Sequence, residues 1–548
     1  MMEVLKRCYE RVCLRVKVNG KLSDAFESLQ GVKQGCPKST DLFGTFIEAL
    51  AEYVDAWDQH EPTERTWKHE APTIGGKLVA CLLYADDLTL CALSIHRMQF
   101  LLNRLHEFCQ AFGMRVNIAK CEIMVFAGIA THRQIHAVYA TALRYPYPGG
   151  VSIPVKGRAR YLGLYYGPAT TFDSCYQELI AAGRRAAFGL IAALDKNECT
   201  MQACFEVQVR SVLSYGVEVW GPDALSALFE GTSYGGHDRT MDKTLKSKWR
   251  NAKTWFDKAL IDPMVALQTS FLARAAGVRK PTYRLLYAEF AAQPMHLHWA
   301  YMVFGFWNRI IKQDKSLAHV FLEDAVATAA AGGFEGMCWV SKVYRVCKKL
   351  GYDWCTEGPQ GTDALCEWLL RTGLPIGSLL GNFANMLMGE WKAESICADP
   401  RAFPESGGHR NTAGGPGVKM CRYTQWMGVP QLDAAVKQGI LPHMKEYVTH
   451  KHLMALIRFR LGCWDIEVNR PVAGGRYRPR NERVCRLCRG GVEDEKHVML
   501  ECPIYANIRL ASGITGSDMK KIMLDTDTQK LAAHLYAVTT LRARTLLI

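Results

Sequence analysis

At 548 residues the chain is too long to fold around one hydrophobic core, and this length predicts about three or four domains. Apolar residues make up 49% of the sequence and charged residues 22%, which is typical of a globular protein and excludes a chain that is disordered throughout. The formal net charge of +14 indicates a polyanionic partner, with nucleic acid as the first candidate. Moderately basic chains of this size are common, so the charge alone does not decide the partner.

The cysteine usage indicates a reducing compartment. Most of the 20 cysteines stand singly inside apolar segments, where a reduced thiol behaves as a small core residue; examples are Cys81, Cys91, Cys109, Cys121 and Cys204. The first eight residues mix acidic and basic side chains where a signal peptide needs an apolar segment, and no apolar run is long enough to cross a bilayer. We therefore expect an intracellular protein with no membrane partner, in which a close group of cysteine and histidine residues is available for a metal ion.

The chain begins with a strand and a turn. Residues 3–18 alternate loosely between apolar and polar side chains and end at Asn19-Gly20, a turn signal. A strand and a turn at this point indicate that the sequence opens in the middle of a domain.

A glycine-rich loop and a helix come next. The segment 30–40 holds two glycines and a proline, which mark a loop whose backbone closely approaches a partner. Apolar residues between 42 and 50 then follow helical spacing, and Ser39 or Thr40 is the candidate N-cap. A loop before a helix N-terminus is a ready site for a phosphate, although an ordinary strand-to-helix connection fits equally well.

Two adjacent acidic residues, Asp86 and Asp87, stand between the apolar runs 78–84 and 88–93. An apolar run, a tight polar break and a second apolar run predict a β-hairpin with the acidic residues at its tip. Holding two like charges side by side among buried strands has an electrostatic cost unless a cation is near, and Mg²⁺ is the natural counterion for carboxylate oxygens. A solvated turn is the simpler alternative, because Asp is a common turn residue.

The clearest amphipathic helix of the chain follows this hairpin. Apolar residues recur at i, i+3, i+4 and i+7 over residues 98–112, with Ser94 as the candidate N-cap and Gly113 as the candidate C-cap. A loop that carries Lys120 and then a strand come next, and residues 161–164 predict another short strand.

The middle of the chain predicts mainly helices. Residues 180–275 and 285–312 are rich in Ala, Leu, Phe and Trp and have few strand signals. A basic cluster between residues 243 and 253 could lie on a nucleic-acid face, but such a run is more often a solvated helix surface. The Pro- and Gly-rich residues 400–417 predict a flexible linker.

Basic and aromatic residues interleave near the C-terminus. Between residues 451 and 489 there are ten basic residues against three acidic ones. The basic residues are Lys451, Arg458, Arg460, Arg470, Arg476, Arg478, Arg480, Arg483, Arg486 and Arg489. Phe459, Trp464 and Tyr477 stand among them, a pattern that suits charge pairing with a nucleic-acid backbone together with stacking on bases.

A metal-ligand pattern follows, with the spacing Cys485-x2-Cys488-x8-His497-x4-Cys502. Two thiolates two residues apart, with a His and a Cys downstream, can close a tetrahedral Zn²⁺ site. The acidic residues 493–495 lie between the two halves and could orient the imidazole. Four unrelated residues in a cysteine-rich chain are the alternative.

Four short motifs stand in a recognisable order: Gly31-Val32-Lys33-Gln34-Gly35-Cys36-Pro37, then Tyr84-Ala85-Asp86-Asp87, then Gly113-Met114 with Asn117 and Lys120, and then Tyr161-Leu162-Gly163. In this order and spacing they resemble the palm of a reverse transcriptase, and they are most similar to the non-LTR (LINE-type) retrotransposon enzymes. The resemblance covers roughly the first 165 residues. Residues 213–221 resemble the thumb region of those enzymes, and residues 267–278 and Glu289 with Pro294 do so more weakly.

The resemblance implies an RNA-directed DNA polymerase that carries out two-metal nucleotidyl transfer. Asp86 would be the principal catalytic ligand of Mg²⁺ or Mn²⁺, with Asp87 as its partner. Gln34 and Gly35 would lie against the incoming nucleotide and the template. Lys120 would approach the triphosphate, with proton donation to the leaving group as its role, or it is a simple surface lysine. An RNA template, a DNA primer and deoxynucleoside triphosphates would be the partners.

The same resemblance supports the zinc site and a nuclear location. LINE-type proteins carry a similar Cys-Cys-His-Cys module after the polymerase, and that module ends like Glu501-Cys502-Pro503.

The sequence also departs from the family pattern. The family needs a further Asp on a strand before the glycine-rich loop, in a segment with the fingers domain, whereas the only Asp among the first 30 residues is Asp24, in a polar turn. Lys38, Thr40 and Asp41 also replace the usual Leu, Pro and a neutral residue. We therefore expect an N-terminally truncated copy of a retroelement enzyme, or an incomplete gene model, with little or no activity by itself and no upstream endonuclease domain.

Together these patterns predict an α+β protein. The expected parts are a partial polymerase palm with an antiparallel sheet and packed helices (residues 1–170), a helical thumb-like region (171–312), a helical connector with its linker (313–450), and a basic zinc-binding domain (451–548). The alternative function is a non-catalytic nucleic-acid-binding protein that uses the zinc-containing C-terminus. A structural helical scaffold, indifferent to nucleic acid and to zinc, is the third class.

Overall fold

The computed structural model divides the chain into two compact units. The first unit comprises Met1–Arg160 with Gly167–Thr170, and the second comprises Tyr161–Tyr166 with Thr171–Ile548. The residues that the structure describes are 7, 10, 12–28, 31–32, 36–56, 71–126, 143–147, 149–167, 172–193, 202–230, 262–278, 283–290, 292–314, 316–396, 423, 426–427, 448–469, 478–514 and 516–547.

The strands are short. They are β1 (Val12–Leu14), β2 (Lys17–Val18), β3 (Lys21–Leu22), β4 (Phe26–Ser28), β5 (Thr73–Ile74), β6 (Lys77–Leu78), β7 (Cys81–Tyr84), β8 (Asp87–Leu90), β9 (Ile123–Met124), β10 (Arg144–Tyr145), β11 (Val151–Ser152), β12 (Val155–Lys156), β13 (Ala159–Tyr161) and β14 (Leu164–Tyr166). In the described part of the first unit β1 pairs with β4, β2 with β3, β5 with β6, β7 with β8 and β10 with β11, all antiparallel, whereas β9 and β12 pair in parallel. Separate two-stranded pairs therefore stand where one antiparallel sheet was expected, and the palm assignment stays a prediction.

Asn19 and Gly20 join β2 to β3, as the sequence predicts. Their φ angles are 49° and 82°, so both residues are left-handed, as a type I′ hairpin turn requires. The ladder closes with Val18 opposite Lys21.

A long helix, α1 (Pro37–Ala56), follows the glycine-rich loop. The prediction of an N-cap at Ser39 or Thr40 is wrong, because both residues lie inside the first turn, where the Thr40 hydroxyl donates to the carbonyl of Pro37 over 3.0 Å. Pro37 is the first helical residue, a position where its fixed φ suits the helix and its missing N–H removes no bond. Leu50, on the predicted apolar face, is buried in the core.

The helix after the hairpin, α2 (Ile95–Ala111), has the predicted N-cap, whereas its C-cap is Phe112 and the predicted C-cap, Gly113, is the next residue. Ser94 is the N-cap, and its hydroxyl oxygen accepts the backbone N–H of Arg97 over 3.0 Å. Gly113 lies just past the helix with a φ of 67°, and the amide of the next residue donates to the carbonyl of Cys109 over 2.8 Å. This pattern is a Schellman motif, which Gly favours because it carries no Cβ.

The core of the first unit lies among α1, α2 and the strands beside them. Its buried apolar residues are Leu50, Val54, Ala80, Leu101, Leu102, Leu105, Phe108, Cys109, Leu143, Tyr145 and Ile153. The α1 helix packs on both α2 and β7, so this core supports the hairpin of β7 and β8 from below.

The described part of the second unit after β14 is helical, which confirms the helices predicted for the described residues of 180–275 and 285–312. The α-helices are α3 (Asp173–Ala193), α4 (Arg210–Leu213), α5 (Val217–Glu230), α6 (Pro263–Ala275), α7 (Tyr283–Phe290), α8 (Met295–Ile311), α9 (Leu317–Ala331), α10 (Trp339–Lys349), α11 (Trp354–Glu357), α12 (Thr362–Thr372), α13 (Ile376–Ile396), α14 (His450–Arg460), α15 (Ala506–Ser512), α16 (Met519–Asp525) and α17 (Thr528–Leu547). Two π-helical turns (Phe205–Val209 and His497–Glu501) and three 3₁₀ turns (Ile118–Lys120, Arg480–Glu482 and Pro503–Tyr505) complete the described helical segments.

One hydrophobic core runs through the second unit, from Leu164 to Val538. At its centre α5 packs against α8 and α10. Gly221 of α5 permits this approach, because a Cβ there would lie 2.8 Å from a methyl carbon of Val303 on α8. The predicted division of this region at residues 312 and 450 stays a prediction.

The described cysteines are free thiols. Of the five that the sequence places in the core, only Cys109 is fully buried, and Cys81, Cys91, Cys121 and Cys204 are partly exposed.

No helix in the described part of the chain combines the length and the apolar character that a membrane crossing needs. The predicted linker at residues 400–417 and the basic cluster at residues 243–253 lie outside the described residues.

Candidate functional site

The two adjacent acidic residues lie at the tip of a hairpin, which confirms the predicted local structure. The antiparallel ladder of β7 and β8 closes with Tyr84 opposite Asp87, so Ala85 and Asp86 form a two-residue connection. Ala85 has a φ of 51°, an uncommon conformation for a residue with a Cβ. Asp86 is therefore a turn residue, and Asp87 is the first residue of β8.

Both carboxylates are exposed to solvent, and the neighbouring Tyr84 is 65% exposed. The expected electrostatic cost of holding two like charges among buried strands does not arise here, because water and salt screen exposed charges. The tip is instead open to a large ligand.

The remaining predicted polymerase residues lie near this hairpin in sequence. Lys120 is exposed at the end of the 3₁₀ turn Ile118–Lys120. No ion pair joins Lys120 to Asp86 or Asp87 in the part of the chain that the structure describes. Gln34 and Gly35 lie outside the described residues.

Within the described ranges, no third Asp, Glu, His or Cys joins Asp86 and Asp87 in a group that could hold a metal ion. Asp24 is exposed between β3 and β4, and its carbonyl accepts the Ser23 hydroxyl over 2.9 Å. The described part of this tip therefore offers two carboxylates to a cation.

Comparison with known families finds a match for the segment that contains this hairpin. Residues 1–166 match the family described as reverse transcriptase (RNA-dependent DNA polymerase). This segment is therefore similar to reverse transcriptases. The match covers 166 of the 548 residues and ends at Tyr166, the last residue of β14.

Reverse transcriptases act on a nucleic-acid template and deoxynucleoside triphosphates, generally with Mg²⁺ as the cation, and residues 1–166 resemble them. The hairpin tip, α2 and Lys120 all lie within the matched residues. The matched segment therefore contains each of the predicted polymerase residues that the structure describes.

The last of the four motifs is a tight turn between β13 and β14, where the sequence predicts a short strand over residues 161–164. Leu162 and Gly163 have φ angles of 46° and 83°. The hydroxyl of Tyr215 donates to the carbonyl of Leu162 over 2.8 Å, and a Cβ at Gly163 would lie 2.8 Å from the Tyr215 ring. The sequence places Leu162 and Gly163 in the palm-like motifs and Tyr215 in the thumb-like segment 213–221. The structure brings these two segments into contact.

A cavity of about 730 Å³ lies beside this turn, with Leu162 and Tyr215 in its lining. Arg210 also lines it and lies 3.5 Å from the carboxylate of Glu206. Burial and the neighbouring Arg210 lower the pKa of His298 to about 4, so this imidazole is neutral at neutral pH. The cavity therefore has no excess of positive charge with which to bind a phosphate.

The four predicted zinc ligands lie together near the C-terminus. The ligand atoms of Cys485, Cys488, His497 and Cys502 all lie within 4.8 Å of one another. The sulfur of Cys488 is 3.2 Å from Nε2 of His497. In a tetrahedral zinc site neighbouring thiolate sulfurs are about 3.8 Å apart, so this donor set fits a metal ion. Zinc binding itself stays a prediction.

A tight backbone turn presents the first two ligands. The amide of Cys485 donates to the carbonyl of Gly491 over 2.8 Å, and the amide of Arg489 donates to the carbonyl of Cys485 over 3.0 Å. The amide of Gly490 donates to the sulfur of Cys488 over 3.3 Å. This N–H···S bond holds the Cys488 sulfur in place at the cluster.

The second pair of ligands stands on a π-helical turn, His497–Glu501, with Cys502 directly after it. The amide of Cys502 donates to the carbonyl of His497 over 2.7 Å, a bond between residues five apart. This wide turn brings residues i and i+5 to the same side, whereas an α-helix does so for i and i+4. The x4 spacing of the motif therefore matches the local helix type.

The second ring nitrogen of His497 faces Glu501, with Nδ1 3.6 Å from the carboxylate oxygen Oε2. That residues 493–495 orient this imidazole stays a prediction. Asp494 accepts the backbone amide of His497 over 2.8 Å, and the described bonds of the Glu493 and Glu495 side chains go to other residues. Glu501 is therefore the residue in position to fix the ring.

The cluster is largely removed from solvent. Cys485, His497 and Cys502 are buried, and Cys488 is partly exposed. Burial raises the pKa of the Cys485 thiol to about 12 and also raises the pKa of Cys502. A metal ion displaces such a proton outright, so the site suits a tightly held structural cation better than a reactive thiol.

The prediction that aromatic residues of the basic segment 451–489 stack on bases is wrong for the aromatic residues that the structure describes. Phe459 and Trp464 are buried in the core, with their rings 4.8 Å apart and edge to face. Tyr477 lies outside the described residues. Because they are buried, Phe459 and Trp464 are unable to stack on bases.

Two of the seven basic residues whose side chains the structure describes in this segment are also internal. Arg460 donates to Glu289 over 3.2 Å, and the Tyr423 hydroxyl donates to the other carboxylate oxygen over 2.7 Å, with all three side chains buried. Arg483 is buried and donates to the carbonyl of Val468 over 2.8 Å. The exposed basic residues of this segment whose side chains the structure describes are Lys451, Arg458, Arg478, Arg486 and Arg489.

The sequence does not predict the contacts of Glu501 and Arg542 beside the cluster. Glu501 stands four residues after His497, so helical spacing is a signal that could have found it. Arg542 contacts Glu493 from 49 residues away, and tertiary packing leaves no such signal in the sequence.

Proposed function

We propose that residues 1–166 are an RNA-directed DNA polymerase of the non-LTR (LINE-type) retrotransposon class. The observation that carries this proposal is the exposed carboxylate pair at a hairpin tip, inside a segment that matches the reverse transcriptase family. The four motifs from the glycine-rich loop to Tyr161-Leu162-Gly163 support the LINE-type assignment.

Asp86 and Asp87 would hold Mg²⁺ or Mn²⁺ through their carboxylate oxygens. When bound, such cations activate a primer 3′-hydroxyl and neutralise charge on the leaving pyrophosphate. The hairpin keeps both carboxylates where an RNA template and a DNA primer can reach them. Gln34 and Gly35 would contact the nucleotide and the template, and Lys120 would contact the triphosphate.

We expect the chain by itself to polymerise weakly. A pair of divalent cations needs several oxygen ligands, and in the described residues no third acidic side chain joins Asp86 and Asp87. A further carboxylate would therefore be needed for full activity.

Primer extension on an RNA template with Mg²⁺ and deoxynucleoside triphosphates tests the polymerase. Asp86→Asn should lower incorporation by about 100-fold or more, because it removes several kcal/mol of charge stabilisation. The matched control is Asp24→Asn, which changes another exposed aspartate. Equal incorporation by the two variants would refute the assignment of the catalytic site to the hairpin.

We further propose that the cluster of Cys485, Cys488, His497 and Cys502 holds a structural Zn²⁺. Three sulfurs and one imidazole nitrogen complete a closed, tetrahedral site. His497 would bind through Nε2, which already lies against the sulfur of Cys488.

Metal analysis of the purified chain tests this site. We expect about one equivalent of zinc in the wild type and well under one in Cys485→Ser. Cys463→Ser is the matched control, because Cys463 lies in the same region and bonds a backbone carbonyl instead. A full equivalent of zinc in Cys485→Ser would exclude the site.

A second candidate function is non-catalytic nucleic-acid binding by the zinc-containing C-terminus. The exposed Lys451, Arg458 and Arg489 favour it, and the burial of Phe459 and Trp464 restricts the contact to backbone charge pairing.

Equilibrium binding of RNA across a salt series tests this function. Arg458→Ala or Arg489→Ala should each reduce the slope of log affinity against log salt by about one, whereas Arg371→Ala, at an exposed arginine of α12, should leave it unchanged. Affinity that does not depend on salt would argue against the proposal.

A further inference from the structure

Arg542, on the last helix, is linked to the first zinc ligand through one buried carboxylate. Oε1 of Glu493 lies 3.5 Å from the sulfur of Cys485. Nη1 of Arg542 donates to this same oxygen, and Nη2 donates to Oε2 over 3.0 Å. The side chains of Arg542 and Glu493 are 6% and 0% exposed, so the two-bond pair is out of contact with solvent.

The same pair holds the backbone on both sides of the cluster. Oε2 of Glu493 accepts the amide of Glu467 over 2.9 Å, and the amide of Glu493 donates to the carbonyl of Arg483 over 2.8 Å. Nε of Arg542 donates to the carbonyl of Asp465 over 2.7 Å. One buried ion pair thus joins the segment after α14, the cysteine turn and α17.

We propose that Glu493 and Arg542 are positioning residues for the metal cluster, so that metal binding and the docking of α17 are one coupled event. This inference rests on the proposed zinc site. Metal-bound thiolates carry negative charge beside the Glu493 carboxylate, and the Arg542 guanidinium is the buried cation that offsets it. By linkage, a docked α17 strengthens metal binding, and bound metal strengthens the docking of α17 by the same factor.

Zinc affinity of the full-length chain, measured by competition with a chelator, tests the first half of this coupling. Arg542→Met should weaken zinc binding by about 10- to 100-fold, which is typical of the loss of a residue that supports a metal ligand. The control is Arg544→Met, at an exposed arginine two residues further along the same helix, and its affinity should equal that of the wild type. Arg542→Lys keeps the charge without the planar fork and should give a smaller loss, and it serves if Arg542→Met does not fold.

Hydrogen–deuterium exchange over residues 528–547 tests the second half. Removal of zinc from the wild type and from Arg544→Met should raise exchange in α17. The inference is wrong if both Arg542 variants bind zinc as tightly as the wild type. It is also wrong if zinc removal leaves the exchange in α17 unchanged. Either result leaves the proposed zinc site intact. Wild-type protein that binds less than half an equivalent of zinc overturns the zinc site itself.

Discussion

The hydroxyl of Tyr215 donates a hydrogen bond to the carbonyl of Leu162, and the same tyrosine ring covers the next residue, Gly163. Gly163 has a φ of 83°, and a Cβ on it would lie 2.8 Å from the ring. Conformation and space therefore both exclude a larger residue in this turn.

Gly163→Ala should lower the free energy of unfolding of the second unit by about 2 kcal/mol, because the variant combines a left-handed alanine with a steric clash. Gly189→Ala, in α3 with open space around it, should be neutral or stabilising by up to about 1 kcal/mol. Urea denaturation followed by tryptophan fluorescence compares the two. A Gly163→Ala protein as stable as the wild type would show that the turn adapts.

A buried acid and a buried imidazole should oppose each other in the pH dependence of stability. Oδ2 of Asp262 lies 3.7 Å from Nε2 of His296, and burial raises the pKa of Asp262 from 3.8 to about 7 and lowers the pKa of His296 from 6.5 to about 3. Between pH 3.8 and about 7, folded Asp262 retains a proton that the unfolded chain loses. The contribution of Asp262 to stability therefore falls as pH rises through this range. Folded His296 lacks a proton that the unfolded chain binds, so its contribution rises with pH up to about 6.5.

Asp262→Asn removes the contribution to stability that falls with rising pH. Asn can still cap α6, as Asp262 does by accepting the amide of Met264. The stability of this variant relative to the wild type should therefore rise by about 1.4 kcal/mol per pH unit between about pH 4 and 6.5. His296→Gln should show the opposite slope. Denaturation curves at several pH values measure both, and a difference that does not change with pH would disprove the neutral pair.

Arg460 and Arg458, on the same helix, should differ sharply when each is replaced by Met. Arg460→Met leaves Glu289 as a buried charge without its cation and should cost about 3–5 kcal/mol of stability. Arg458→Met, at an exposed position, should change stability by less than about 0.5 kcal/mol. Thermal denaturation distinguishes them, and equal losses would contradict the assignment of Arg460 to the core.

Ser94 should account for the start of α2. Ser94→Ala removes the acceptor of the Arg97 amide and should cost about 1 kcal/mol, whereas Ser94→Asp keeps an acceptor and should cost little. Urea denaturation measures the free energy of unfolding of the two variants. Equal values for Ser94→Ala and Ser94→Asp would show that the cap does not stabilise the helix.

The sequence predicts the features that neighbouring residues determine. The hairpin around Asp86, the N-cap of α2 and the turn at Asn19-Gly20 follow from short-range patterns, and the structure confirms all three. The spacing of the four Cys and His residues is also short-range, and the structure brings their ligand atoms together.

Features that depend on tertiary packing were not predictable in this way. An aromatic ring serves equally as a core residue or as a stacking surface, and only packing shows that Phe459 and Trp464 are core. Arg460 finds Glu289 across 171 residues, and no local pattern distinguishes it from the exposed Arg458. The N-cap error at Ser39 is local, since Pro37 at the first helical position is itself a sequence signal.

The π turn at His497 determines which chemical element the fourth ligand contributes. In this turn the residue that returns to the side of His497 is Cys502, five places on. In an ordinary α-helical turn it would be Glu501, four places on. A shift of helical register by one residue would thus replace a soft sulfur donor by a hard oxygen donor, and with it the class of cation that the cluster prefers.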